Sequence, residues 1–310
     1  MHGKGGRVLP NERSSQQVID VLQRLVAQLE NDPALLEPNR LPQRMEALDR
    51  LDANFPDTHQ PVFGAEFRAA SLYRQARAIH GRLEAVNCEL YQSIRHEIQR
   101  GVRPDTLLQW VHPSTGTPDV VGLAHSMGYD YLDELIIGVL QLEEPSAVGV
   151  QRGPEMVFYQ PTPARHIFSL LGIAALTATD VLVDLGSGLG HVPLLASICT
   201  RARSIGIELE GAYVDCARRS AQRLNLNKVT FVRQDARAAD LSSGTVFYLY
   251  TPFTGSILCA VLNLLRREAA NREIRICTFG PCTTVVAEER WLEAAATPET
   301  DRIALFCSRD

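Results

Sequence analysis

The residues with the clearest chemistry are Asp184, Ser187, Gly186, Gly188 and Gly190, which stand together in Val181-Leu182-Val183-Asp184-Leu185-Gly186-Ser187-Gly188-Leu189-Gly190. An apolar run ends in an acid, and the acid passes into glycines at alternate positions. Such glycines let the backbone approach a ligand closely, and a helix starting beyond them offers free N–H groups. The stretch is therefore expected to bind a nucleoside-containing cofactor. His191 follows the last glycine at once, and further acids, Glu208 in Ile205-Gly206-Ile207-Glu208 and Asp235 before Ala236, also close apolar runs. No Ser–His–Asp or metal-ligand spacing stands out.

Positioning these residues requires alternating strands and helices. Strand-like runs at 181–185, 204–208, 229–234, 246–250 and 274–279 alternate with helical patterns at 192–198, 213–224 and 257–267. Repeated β-α-β of this kind implies a Rossmann-like, doubly wound, mainly parallel sheet with helices on both faces. The last two runs, 291–296 and 302–307, flank the turn Thr297-Pro298-Glu299-Thr300 and are expected to add an antiparallel hairpin at the sheet edge.

The first half of the chain has a different texture. Ser14 and Gln17 stand at capping-box spacing before a stripe of Val18, Leu22, Leu25 and Leu29. Five prolines break up residues 33–62. Leu72, Ala76, Ile79, Leu83, Val86, Leu90, Ile94 and Ile98 then form one seam along a helix over 65–100, closed by Gly101 and Pro104. That seam fits an intrachain bundle, and its near-heptad spacing also fits a homodimer through the N-terminal helices. A third helical region is expected over Asp130–Leu142. The boundary is placed at Gly153-Pro154, giving an α-helical domain over 1–150 and an α/β domain over 151–310.

Composition bounds the rest. The chain has 310 residues, 45% of them hydrophobic, and a net charge of −5. The first 150 residues carry 14 Lys+Arg against 20 Asp+Glu, and the remainder 17 against 16. Neither half has the basic field that broad nucleic-acid binding needs, so no nucleic-acid partner is expected. There is no run of about 20 apolar residues, so no membrane span is expected. Met1–Arg7 lacks the apolar stretch of a signal peptide, which points to a cytoplasmic protein. The seven cysteines are odd in number and include no C-x-x-C pair, which fits buried thiols in a reducing compartment. Only Lys4 and Lys228 are lysines, a bias read as the mark of a GC-rich bacterial genome.

Two cofactor families place a glycine turn after the first strand. A nicotinamide or flavin site wants a third glycine where this chain has His191. Asp184-Leu185-Gly186-Ser187-Gly188-Leu189-Gly190 instead resembles the first motif of the class I S-adenosylmethionine-dependent methyltransferases. That resemblance implies that the turn lies against the methionine part of the cofactor and that Asp184 helps hold its amino-acid end. It also puts Glu208, 24 residues after Asp184, on the ribose diol, and Asp235 with Ala236 beside the adenine. The step Tyr159-Gln160-Pro161-Thr162, a helix and then the glycine turn are similar to the non-SET, telomeric-silencing type of histone-lysine methyltransferases. There the tyrosine and threonine lie beside the cofactor, which implies the same for Tyr159 and Thr162. The Asn pair that this type carries after the fourth strand is missing, and the acidic N-terminal half does not suit chromatin. The histone substrate is therefore not carried over.

The loop after the fourth strand in this class faces the transferable methyl group. Here it reads Tyr250-Thr251-Pro252-Phe253, without the Asn/Asp-Pro-Pro-aromatic pattern that holds a planar amino group. Tyr250 and Phe253 are expected to wall the methyl channel, Thr251 to hydrogen-bond an acceptor, and His191 or Tyr159 to serve as base. The expected activity is methyl transfer from S-adenosylmethionine to a protein side chain or a small molecule. The alternative is a non-catalytic S-adenosylmethionine-binding regulatory or scaffold protein.

Overall fold

The computed structural model describes residues 15–55, 66–102, 104–111, 128–143, 145, 155–157 and 159–309. The chain divides into two compact units, Met1–Leu90 and Tyr91–Asp310. In the first, α1 (Ser15–Glu30), two 3-10 turns (Pro33–Leu36 and Pro38–Arg40), α2 (Leu41–Asp52) and the start of α3 (Glu66–Gln99) close on one core. Leu22, Leu25 and Leu29 of the expected stripe are buried there, against Leu48 and Leu51 of α2 and Leu72, Ala76, Ile79 and Leu83 of α3. The seam offered for a dimer is thus filled, over this stretch, by the chain's own helices. The prolines of the connecting turns are organised by Arg44, which is fully buried. Its guanidinium donates to the carbonyls of Leu35 at 3.0 Å and Glu37 at 2.6 Å and to Asn87 Oδ1 at 2.7 Å. The cap expected at Ser14 and the boundary at Gly153-Pro154 lie outside the described residues.

The boundary between units falls inside α3, well before residue 150. The reason is that the helices after Leu90 pack with the sheet unit. α4 (Asp105–Val111), not expected from the sequence, is followed by α5 (Tyr131–Leu140). Gly138 of α5 lies so close to Tyr91 that a Cβ would stand 2.3 Å from its ring. Arg95 donates to the Gly138 carbonyl at 2.6 Å, and Ser220 Oγ donates to the Leu140 carbonyl at 2.7 Å.

α6 (Ala164–Ala174) leads into the sheet, whose strands are β1 (Val181–Leu185), β2 (Arg203–Glu208), β3 (Val229–Arg233), β4 (Val246–Leu249), β5 (Arg275–Thr278), β6 (Leu292–Ala294) and β7 (Ala304–Ser308). The order is β3-β2-β1-β4-β5-β7-β6. β1 to β5 are parallel; β7 runs antiparallel to β5, and β6 to β7. Between the strands run α7 (His191–Cys199), α8 (Gly211–Arg223), α9 (Gly255–Ala269) and the short α10 (Cys282–Ala287). The Rossmann-like sheet and its C-terminal hairpin are as the sequence predicts. Every residue of β1 is buried, which is what a strand covered on both faces requires.

β1 is flanked by β2 on one side and β4 on the other. The winding reverses there, and such a switch point opens a crevice beyond the carboxyl ends of the strands. The register sets Asp184 beside both Gly206 of β2 and Tyr248 of β4. At the opposite end of β1, Asp180 accepts from Thr177 N and Oγ1, Thr245 Oγ1 and Arg275. Among the described residues, no helix is long and apolar enough to cross a membrane, and no cluster of His, Cys, Asp or Glu has the makings of a metal site.

Candidate functional site

The crevice is a cavity of about 400 Å³ walled by the carboxyl ends of β1, β2 and β4, the glycine turn and the segment before α6. The turn is held beneath β2, because the N–H groups of Gly186 and Ser187 both donate to the Ile207 carbonyl, at 2.9 and 3.0 Å. All three of its glycines have positive φ and no room for a Cβ. Gly188 has φ +51°, and a Cβ there would stand 2.1 Å from the Tyr159 ring. Gly190 has φ +86° at the N-cap of α7, and a Cβ there would meet the Phe231 ring at 2.5 Å.

The acids meet at this turn. Asp184 is only 4% exposed, lines the cavity, and receives no hydrogen bond from any described residue. Burial, reinforced by the nearby Glu208, pushes its carboxyl well above the usual range. Glu208 accepts from Gly188 N at 2.9 Å and Glu210 N at 2.8 Å, each oxygen keeping lone-pair capacity for a ligand. Ser187 Oγ is buried and has no hydrogen-bond partner among the described residues. Asp235 also lines the cavity, at the mouth of the turn that holds Ala236. Its carboxylate accepts the N–H of Arg237 at 2.9 Å and the guanidinium at 2.7 Å. The Arg237 pairing holds it below the usual carboxylate range against the opposing effect of burial. An adenine amino group would share this acceptor with Arg237.

Tyr159 also lines the cavity, its ring against Gly188 of the turn. Its hydroxyl is 3.3 Å from His191 Nδ1, and its ring centroid lies 4.9 Å from that of Tyr213 on α8. Burial lowers the His191 pKa to about 4, so the ring is neutral near pH 7. Thr162 is buried and shares a 3.0 Å hydrogen bond with the Tyr248 hydroxyl.

The loop after β4 also departs from expectation at one residue. Thr251 has φ +41°, and its hydroxyl donates to the Phe279 carbonyl and accepts from Cys282 N, both at 3.1 Å. It clasps β4 to the start of α10 and has no proton left for an acceptor. Tyr250 does line the cavity, half-buried, with its ring centroid 4.7 Å from that of Phe279. Phe253 lines it too and forms an antiparallel bridge with Met156, while Val157 N donates to the Pro252 carbonyl at 3.3 Å. Glu155 secures this strap: its carboxylate accepts from Ser256 N, Ser256 Oγ and Ile257 N at the start of α9.

The structure thus gathers Tyr159, Thr162, Asp184, Gly186, Ser187, His191, Glu208, Asp235, Ala236, Tyr250 and Thr251 around one cavity. It adds three that the sequence reading missed. Tyr248 was visible only as a polar tip in an apolar strand. Glu210 carried the signal of an acid just before a helix, and its carboxylate accepts from Ala212 N as the N-cap of α8. Tyr213 gave no signal beyond helical periodicity.

Residues 157–241 match the family model described as "Histone methylation protein DOT1". No curated protein matches the sequence. Among solved structures, an RNA methyltransferase from Salinibacter ruber, in complex with S-adenosyl-L-homocysteine, is 26% identical over 48% of this chain and 92% of its own, with a TM-score of 0.39. A precorrin-6y C5,15-methyltransferase from Geobacter metallireducens is 16% identical over 50% and 94%, also with a TM-score of 0.39. Sheet order, glycine turn and matched segment are similar to those of the class I S-adenosylmethionine-dependent methyltransferases. Within the sheet unit, the stretch from the Tyr159 step through the Asp235 turn is DOT1-like.

Proposed function

We propose that the protein binds S-adenosylmethionine in this cavity and transfers its methyl group to a protein side chain or a small molecule. The observation that carries the reading is Asp184, a buried carboxylate on the cavity wall with no donor among the described residues. A carboxylate so placed calls for a cationic donor, and the ammonium of an amino-acid ligand is one. Glu208 and Glu210 line the same wall, and the one Arg or Lys among the described lining residues, Arg237, is already paired with Asp235. That field suits a cationic ligand and repels a pyrophosphate, which counts against a nicotinamide cofactor.

When bound, S-adenosylmethionine supplies an electrophilic methyl group on a sulfonium. Asp184 would hold the ammonium, Glu208 the ribose diol, and Asp235 with Ala236 the adenine edge, while the Gly186–Gly190 turn gives the backbone close approach. Tyr250 and Phe253 would exclude water and orient the acceptor. The acidic net charge supports a protein or small-molecule acceptor over nucleic acid, and the seven free cysteines support a reducing, cytoplasmic setting in a bacterium. A second reading, a binder with a regulatory or scaffold role, draws on one observation. Tyr250, Thr251, Pro252, Phe253 and Ile257 put no carboxylate or imidazole on the β4 side of the cavity.

Titration calorimetry with S-adenosylmethionine and S-adenosylhomocysteine tests binding, with micromolar dissociation constants expected. Absence of binding at high micromolar ligand would overturn the reading. Transfer of label from methyl-labelled cofactor into a bacterial extract would separate enzyme from scaffold.

A further inference from the structure

We propose that Tyr248 is a positioning residue for the amino-acid end of the cofactor, acting through the hydroxyl of Thr162. The inference rests on the cavity being an S-adenosylmethionine site. Tyr248 and Thr162 are 1% and 7% exposed, and both line the cavity. Their hydroxyls are 3.0 Å apart. Among the described residues, each is the other's sole hydrogen-bond partner.

That isolation fixes the direction of the bond. If Thr162 donated, the Tyr248 proton would have to find a second acceptor, and no described residue supplies one within hydrogen-bond distance. Leaving a buried phenol proton without an acceptor is costly. Tyr248 therefore donates to Thr162 Oγ1, and the Thr162 proton is left to turn into the cavity. A threonine hydroxyl has a single proton, so this arrangement makes it a dedicated donor.

The surroundings say what that donor is for. Tyr248 sits beside Asp184 in the β1–β4 register, at the switch point. Asp184 presents a negative acceptor, suited to an ammonium; Thr162 presents a proton, suited to a carboxylate. Together they form the two halves of a site for an α-amino acid group. Burial holds the phenol protonated across the working range, so it remains a donor throughout. Phenylalanine would fill the same strand position and pack equally well, leaving Thr162 free to turn its proton elsewhere.

Calorimetry with two ligands tests this. S-adenosylhomocysteine carries the amino-acid end; 5′-methylthioadenosine shares the nucleoside and sulfur but lacks it. For Tyr248→Phe, S-adenosylhomocysteine should bind roughly tenfold more weakly, the scale of one lost hydrogen bond to a charged group, while 5′-methylthioadenosine should bind as to wild type. Thr162→Val should show the same selectivity, the double variant should be no weaker than Thr162→Val alone, and Thr162→Ser should restore binding. Equal weakening of both ligands, or unchanged binding of both, in Tyr248→Phe would overturn the proposal. Should that variant not fold, a crystal structure of the wild-type complex decides. Thr162 Oγ1 is expected within hydrogen-bond distance of both Tyr248 and the ligand carboxylate, and loss of either contact refutes the role. Wild-type protein that binds neither ligand would instead overturn the cofactor reading itself.

Discussion

Replacing Asp184 by Asn should stabilise the empty protein and weaken it as a binder. The side chains are nearly isosteric, so packing in β1 is preserved. What changes is a charge that is 4% exposed, lacks any described donor and faces Glu208. Relief of such an unmet polar group is worth about 1–2 kcal/mol. In a unit of this size that corresponds to roughly 2–8 °C in melting temperature. The sign with pH follows from the raised carboxyl. Below the ordinary value of 3.8 the residue is protonated both folded and unfolded, and wild type and variant converge. As pH rises above it, the unfolded chain loses its proton first, so wild type loses stability relative to Asp184→Asn until the raised folded value is passed. Binding moves the other way. Without a carboxylate for the ammonium, affinity for S-adenosylhomocysteine should fall by about 1.5–3 kcal/mol, or at least tenfold. Thermal melts from pH 3.5 to 8, with calorimetry at pH 7.5, measure both. A variant that melts lower than wild type at neutral pH, or a gap that does not change with pH, would refute the reasoning.

Three further outcomes are expected. Gly188→Ala places a methyl against the Tyr159 ring at a positive φ; it should cost about 1–2 kcal/mol from the backbone alone and abolish measurable cofactor binding, as read by melting and calorimetry. Glu208→Ala should weaken binding by about 1–3 kcal/mol, and wild-type affinity in that variant would show that the acid does not hold the ribose. At Asp180, burial raises the carboxyl, but donors from Thr177, Thr245 and Arg275 outweigh it and hold the pKa at about 2. Asp180→Ala should therefore lose about 2 kcal/mol near neutral pH, the deficit shrinking as pH falls from about 4 toward 2 in acid-denaturation curves.

The parallel strands were legible because each is a short apolar run ending at a polar residue, so β1 falls on Val181–Leu185 as read from sequence. The glycine turn and its three acids were legible for the same reason, since strand ends are where side chains leave the core. What stayed hidden depends on partners distant in sequence. Nothing local to Thr251 reveals that Phe279 and Cys282 would take both sides of its hydroxyl. Nothing local to His191 reveals the burial that lowers its pKa. Helical periodicity is the same before and after Leu90, so nothing local marks the division into compact units there. What assigns α5 to the sheet unit is packing, at Gly138 against Tyr91 and at Leu140 against Ser220. Tyr248 was legible as strand but not as chemistry, because the role proposed for it depends on register with Asp184 and on Thr162, 86 residues away.

The Thr251 clasp bears on how this protein could be redesigned. A non-glycine residue held at φ +41° and bonded on both sides of its hydroxyl makes the loop after β4 a fixed mould. On the proposed reading, preference for an acceptor resides in the side chains set into that mould, Tyr250 and Phe253. Libraries that vary those two aromatics while retaining Thr251 would explore new acceptors on an unchanged frame, whereas changes at Thr251 would reshape the frame itself.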